Sequence, residues 1–490
     1  MCGSSKRDDC CVSSPMQTHL CSSPMQCQLT EPTQSPKVRM RELRQRQKAA
    51  LVSAAVTVCN KMMCVQTQGK LCRSVWKGLV LGTLLTSFFI LLYSYAAPSL
   101  SLSSTEKPVS FRCEPPSLPD SLLPATNSSE RSTLHCLPRH NLVFLKTHKT
   151  GSSTISNILF RFGEMHQLRF AFPRGRNDFE YPSHFQRWQV EGYHPGLCVN
   201  IICNHMRYKH SEVSLLMPPD AVFATVLRNP ALLFESAFQY FSDVVPLTWT
   251  LPGAGSEQKM EAFLRNPMSY YDSSGFNTHY LHNLLTFDLG YDNNMSVGDL
   301  RVFHLLKELE GRFHLVMLLE YFEESLLLLR DLMCWEMDDI LYFKLNARKD
   351  CGDSRLSPEI YQLAQEWNSL DTLIYQHFNA TFWMKVEEYG VERMKKDVME
   401  LRRRNEELKQ KCIAGGGPVD ASKIQESGLQ PWQPLGKTFI QGYNLKRNIP
   451  PQHRQQCRNM LTPEIQYMGR LGADLWVTRL WGSIRALLNW

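Results

Sequence analysis

Residues 141–154 read Asn-Leu-Val-Phe-Leu-Lys-Thr-His-Lys-Thr-Gly-Ser-Ser-Thr, and they restrict the fold more than any other stretch. A short apolar run ends in a turn that carries two lysines, a histidine, a glycine and several hydroxyls. Ile155 to Phe162 follows with helical spacing. The pattern predicts strand, anion-binding loop, helix. The free N–H groups and positive dipole end of a helix attract phosphate. Gly151 permits close backbone approach, while Lys146 and Lys149 add charge. The Gly-Lys-Ser/Thr of a nucleotide-triphosphate P-loop is missing, which argues against a nucleoside kinase or ATPase.

A second segment repeats the theme. Ala221–Leu227 reads as a buried strand, with Arg228 at its carboxyl end and Pro230 placed to open a helix from Ala231 to Phe241. Ser236 lies on that helix. A guanidinium fork and a hydroxyl make a second phosphate clamp. Two anion sites, each at a strand-to-helix junction, suit a nucleotide with phosphates at two places. Further apolar runs, Val199–Cys203 and Phe313–Leu318, alternate with helical stretches. That rhythm predicts an α/β fold with a parallel central sheet flanked by helices, and ligands at the carboxyl ends of its strands.

These segments resemble those of sulfotransferases. Lys146–Thr154 is similar to their 5′-phosphosulfate loop, and Arg228 with Ser236 to their 3′-phosphate motif. Phe144–Thr154, Asn200–Tyr208, Tyr270–Asp292, Asp338–Arg348, Gln430–Asn444 and Leu461–Trp481 resemble the galactose 3-O-sulfotransferases in particular. The likeness runs from Trp76 to the end of the chain. Gly151 stands where the family pattern has alanine, and Asn229 where it has aspartate. The resemblance implies a P-loop-like sulfotransferase fold and 3′-phosphoadenosine 5′-phosphosulfate (PAPS) as co-substrate, with no metal. It implies donor contacts from Lys146, Thr147, His148, Lys149, Thr150, Gly151, Ser152, Ser153, Thr154, Arg228 and Ser236. The implied acceptor is the 3-hydroxyl of β-galactose, in galactosylceramide (giving sulfatide) or in glycoprotein glycans.

Sulfuryl transfer needs alignment and neutralisation of the leaving phosphate, by analogy with phosphoryl transfer. Lys149, deepest in the loop, is expected at the leaving oxygen, and Lys146 at the 5′-phosphate or sulfuryl oxygens. A sugar hydroxyl also needs a general base. His205, just past the run Val199–Cys203, is the first candidate and His148 the second. Glu235 is a weaker one. A lone histidine is more often structural, but the segment Asn204-His205-Met206-Arg207 matches a family motif. Arg174, Arg176 and Asp178 fit either a sugar contact or a polar surface loop.

The remaining chain sets the context. Residues 1–75 are expected to be a cytosolic tail, largely disordered; the first 36 are rich in Ser, Gln, Pro and Cys. Residues 76–97 are expected to form a transmembrane signal anchor. Gly78–Ala97 lacks charge and is long enough to span a bilayer, with Tyr93, Tyr95, Trp76 and Lys77 near its ends. Ala96-Ala97-Pro98 is a poor cleavage site, which disfavours a signal peptide. Net charge is +7, and Lys37–Lys48 concentrates basic residues on the N-terminal side of the anchor. The positive-inside rule then gives a type II topology, with the basic run a membrane-proximal tail rather than a nucleic-acid site. Residues 98–138 read as a lumenal stem and 139–490 as the catalytic domain. The sequons at Asn127, Asn294 and Asn379 all follow the anchor. So do Cys113, Cys136, Cys198, Cys203, Cys334, Cys351, Cys412 and Cys457, which an oxidising lumen would allow to pair. Golgi membrane is the expected location; nothing decides between monomer and homo-oligomer. Val391–Lys411 reads as a solvated helix. In Ala473–Trp490, Trp476, Leu480, Trp481, Ile484, Leu487 and Leu488 share one helical face. Packing into the core is the plain expectation for it, and an interfacial membrane helix the sharper one.

Overall fold

The two apolar runs that lead into the anion loop and the arginine become neighbours in one sheet. The computed structural model describes residues 83, 136–347, 356–433 and 439–488; all but Thr83 fall in the compact unit Pro108–Trp490. Its sheet comprises β1 (Leu142–Leu145), β2 (Phe170–Ala171), β3 (Ile201–Ile202), β4 (Val222–Leu227) and β5 (Leu315–Leu318), in the order β2-β3-β1-β4-β5. Every pairing within these five strands is parallel, and a separate antiparallel pair joins Val419–Asp420 to Gln441–Gly442. β1, β4 and β5 are buried along their whole length, which is why they read as unbroken apolar runs rather than alternating ones. The register sets Leu145 opposite Thr225. Lys146 and Arg228 therefore leave the sheet at the same edge, beyond its carboxyl ends.

Helix α1 (Ser152–Met165) follows β1, α2 (Pro230–Phe241) follows β4, and the short α3 (Leu284–Asp288) lies between β4 and β5 in sequence. Then come α4 (Phe322–Met333), α5 (Ser369–Tyr389), α6 (Val391–Cys412), α7 (Pro451–Leu461), α8 (Glu464–Arg470) and α9 (Trp476–Leu488). Two expected strands are shorter than read. Only Ile201–Ile202 of Val199–Cys203 and Leu315–Leu318 of Phe313–Leu318 pair in the sheet. Apolar burial extends past the ladder, so hydrophobicity alone overstates strand length.

Helices α7 and α8 pack on α1. Asn157 of α1 donates to the carbonyls of Asn459 (3.0 Å) and Thr462 (3.1 Å). Glu164, also on α1, accepts from Asn459 Nδ2 (2.9 Å) and Tyr467 Oη (2.7 Å). Disulfides join Cys136 to Cys334 and Cys412 to Cys457, and Cys198 is also disulfide-bonded. Cys203 is a buried free thiol, so this member of the expected lumenal set does not pair; it packs beside β3 in the core.

The end of the chain departs from the plain expectation. Trp476, Leu480 and Trp481 of α9 are 58%, 50% and 55% exposed, while Thr478 on the opposite side is buried. The predicted anchor apart from Thr83, the cytosolic tail, most of the stem, Asn127, Cys113 and Cys351 lie outside the described residues. Among the described residues no helix is long and apolar enough to cross a membrane. Asn294 is exposed, whereas Asn379 is half-buried on α5.

Candidate active site

The loop between β1 and α1 is folded by its own hydroxyls. Thr147 Oγ1 donates to the Val226 carbonyl, while Thr150 Oγ1 (3.1 Å) and Ser152 Oγ (3.0 Å) donate to the Thr147 carbonyl. Thr154 Oγ1 accepts from the Leu345 N–H at 3.1 Å. These side chains shape the loop; the Thr154 N–H donates to the Gly151 carbonyl at 3.1 Å, which leaves the N–H groups of Ser152 and Ser153 at the helix start for an anion. Gly151 has φ of 72°, a left-handed conformation that suits glycine better than the family alanine. A Cβ there would also approach Leu319 Cδ1 to 2.7 Å.

A cleft of about 730 Å³ opens on this loop. Its lining includes His148, Lys149, Gly151, Ser152, Ser153 and Thr154 from the loop, with His205, Arg228 and Ser236. Residues far apart in sequence thus share one cavity, of a size suited to a small-molecule site. Lys149 lies 3.5 Å from the centre of the Tyr240 ring, and its carbonyl accepts from Arg228 Nη1 at 3.0 Å. The two segments expected to bind anions are therefore joined directly. Asn229 caps α2 by accepting from Ala231 N (3.1 Å) and Leu232 N (3.4 Å), the same task that an aspartate performs. Arg176 and Asp178 line the cleft, whereas Glu235 is buried outside its lining and Arg174 is exposed and bonded to the Trp188 carbonyl at 3.3 Å.

Lys146 is nearly inaccessible, with its side chain 1% exposed. Its ammonium pairs with Glu464, the first residue of α8, whose Oε2 also accepts from Ser153 Oγ at 3.2 Å. Glu464 Oε1 is buried without a hydrogen-bond partner among the described residues. Sequence reasoning missed Glu464; its place at a helix start after a proline is common and carries no chemical signal.

Two histidines face each other across the cleft wall. The rings of His148 and His205 stack at 4.0 Å between centroids, 11° from parallel. His205 Nδ1 lies 2.9 Å from the Lys146 carbonyl. A carbonyl only accepts, so Nδ1 bears the hydrogen and Nε2 keeps its lone pair. Burial, then the neighbouring His148 and Lys146, push the His205 imidazole well below its usual value. It is neutral at physiological pH. His148 Nδ1 lies 3.0 Å from Asp288 Oδ1, another residue the sequence did not reveal.

The galactose-3-O-sulfotransferase family model matches residues 61–475. Human galactosylceramide sulfotransferase is 56% identical over 426 residues, 86% of this chain and 99% of that protein. Pig galactose-3-O-sulfotransferase 2 is 42% identical over 340 residues, 68% of this chain and 84% of that protein. A solved sulfotransferase from Alicyclobacillus acidocaldarius aligns with 50% of this chain and 96% of that chain at 12% identity. Its TM-score of 0.27 is too low to add to the topology above.

Proposed function

This chain belongs to the galactose-3-O-sulfotransferase family, and on that premise we propose that it transfers a sulfuryl group from PAPS to the 3-hydroxyl of β-galactose in galactosylceramide, forming sulfatide. The observation that carries the reading is the shared cleft: the β1–α1 loop, Arg228, Ser236 and the stacked histidines all line it. Human, mouse and bovine proteins named galactosylceramide sulfotransferase are 55–56% identical over 86% of this chain. The relatives named galactose-3-O-sulfotransferase 2 and 3 reach 39–42%. That difference favours the glycolipid over glycoprotein glycans.

PAPS supplies an activated sulfuryl group and a phosphate leaving group. The N–H groups of Ser152 and Ser153 and the Lys149 ammonium would hold its 5′-phosphosulfate, and Lys146, which lies outside the cleft lining, would reach it only by exchanging Glu464 for the donor; Arg228 and Ser236 would hold its 3′-phosphate. Lys149 neutralises charge that builds on the leaving oxygen, an interaction worth most in the transition state. The acceptor hydroxyl passes its proton to the His148–His205 pair, the histidines of the cleft lining. His148 belongs to the loop and His205 stacks on it, and general-base catalysis contributes on the order of 10²–10⁴ in rate.

The lipid acceptor implies work at a membrane. Trp476, Leu480 and Trp481 form an exposed apolar edge on α9, and a Cβ at Gly482 of the same helix would lie 3.3 Å from Trp432, which lines the cleft. Such an edge suits the headgroup region of a bilayer. Gly78–Ala97 anchors the protein in the Golgi membrane in type II orientation, with the disulfides in an oxidising lumen and a glycan on exposed Asn294. The deciding assay incubates the full chain with labelled PAPS and either galactosylceramide in liposomes or a galactose-terminated oligosaccharide. Transfer to the lipid is expected to dominate. Preference for the oligosaccharide would replace the acceptor, and transfer to neither would overturn the reading.

A further inference from the structure

Asp288 is a fully buried carboxylate at the end of α3, and among the described residues no lysine or arginine forms an ion pair with it. It accepts from the His148 backbone N–H (2.7 Å) and Tyr181 Oη (2.8 Å), and His148 Nδ1 lies 3.0 Å from its Oδ1. Its place is fixed from behind. Asp371 of α5 accepts from the N–H groups of Leu285 (2.9 Å) and Thr286 (2.8 Å) and from Thr286 Oγ1 (2.7 Å). The Asp288 carbonyl accepts from Tyr208 N–H at 2.9 Å. The carboxylate therefore has little freedom to turn away from the imidazole.

On the reading of this cleft as a sulfuryl-transfer site, we infer that Asp288 is the positioning residue that makes His148 the proton acceptor. A carboxylate accepts hydrogen bonds and donates none, so the His148 hydrogen sits on Nδ1 and the lone pair on Nε2. The same contact locks the ring and offsets the charge it gains on protonation, as in other carboxylate–histidine pairs. His205 has no such support. Its Nδ1 meets a neutral carbonyl, and the Lys146 ammonium lies near, so a second positive charge on its ring is opposed. In the reaction the galactose hydroxyl oxygen forms the new bond to sulfur. Its proton goes to His148 Nε2. The electron pair of the broken S–O bond leaves on the bridging oxygen, which becomes a terminal phosphate oxygen of the nucleotide product. His205, stacked on the acceptor ring, keeps that ring in plane as a neutral neighbour.

The test uses the full-length chain with PAPS and galactosylceramide in liposomes. Asp288→Asn keeps the shape but turns an amide N–H toward Nδ1, which forces the hydrogen onto Nε2. Turnover should fall on the order of 10²–10⁴-fold while KM for PAPS stays within about two-fold. His148→Ala alone and His148→Ala with Asp288→Asn should be equally slow, because Asp288 acts only through that ring. Tyr181→Phe removes one hydrogen bond to Asp288 but leaves the carboxylate on Nδ1, so turnover should fall by only about ten-fold or less. Wild-type turnover in Asp288→Asn would overturn the inference. So would a further loss when Asp288→Asn is added to His148→Ala, or a loss in Tyr181→Phe as large as in His148→Ala; the Tyr181→Phe comparison decides even if Asp288→Asn does not fold. A wild-type chain that transfers no sulfate overturns the underlying reading instead, so the two failures are distinct.

Discussion

The Lys146–Glu464 pair allows stability to be separated from catalysis. Lys146 is 1% exposed and Glu464 16% exposed in their side chains. Replacing Lys146 by methionine keeps most of the chain's length and apolar stem but leaves Glu464 as an uncompensated charge. Breaking a buried pair costs about 3–5 kcal/mol. Glu464 keeps some water contact and the Ser153 hydroxyl, so the lower figure applies, about 3 kcal/mol. For a domain of this size that lowers Tm by roughly 5 °C. Adding Glu464→Gln removes the stranded charge and keeps an acceptor for Ser153, so the double variant should recover all but about 1 kcal/mol. Sulfuryl transfer should not recover on the proposal that Lys146 exchanges Glu464 for the donor's phosphosulfate. Chemical denaturation and the labelled-donor assay, run on wild type, both single variants and the double, measure the two effects separately. Restored transfer in the double variant would refute the donor role of Lys146. A Lys146→Met chain as stable as wild type would refute the ion pair.

Three other outcomes are expected. Lys149→Ala should abolish turnover with little change in acceptor affinity, whereas Arg228→Ala and Ser236→Ala should chiefly raise KM for PAPS, since they would hold a phosphate remote from the reacting sulfur; calorimetric donor affinity unchanged in both of the latter would sink the second anion site. Stability should fall as pH drops below about 6.5, where unfolded imidazoles take up protons. Burial holds His205 well below that value, His279 down at about 3 and His282 at about 4, so the native state resists protons the unfolded chain accepts. A Tm that stays flat from pH 7 to about pH 5 would contradict this.

The sheet's central strands, the loop after β1 and the placing of Arg228 and Ser236 at the next strand end were legible because each is a local pattern. An unbroken apolar run, a glycine-containing turn and a helical period occupy consecutive residues, and their physics acts over a few bonds. Lys146, Lys149, Arg228, Ser236 and His205 stood out for the same reason: each lies at the end of a run that had to become a strand, or on the helix after one. The details that decide their chemistry were not legible. Glu464 meets Lys146 across 318 positions, and Asp288 meets His148 across 140. No spacing rule connects residues so far apart; only the packing of α7 and α8 on α1, and of α3 against α5, sets their distances. The hydroxyls of the loop were read as donor ligands, yet several of them close the loop on itself, because a buried hydroxyl takes the nearest carbonyl. The exposed face of α9 is similar: helical period showed that Trp476, Leu480 and Trp481 share a side, but only the placement of the helix determined that this side meets no core. The sequence by itself thus determined which segments form strand, loop and helix and which basic and hydroxyl side chains stand at the strand ends. The tertiary structure decided which carboxylate stands beside each basic group, since charge pairing depends on distance in space, and the fold alone sets that distance.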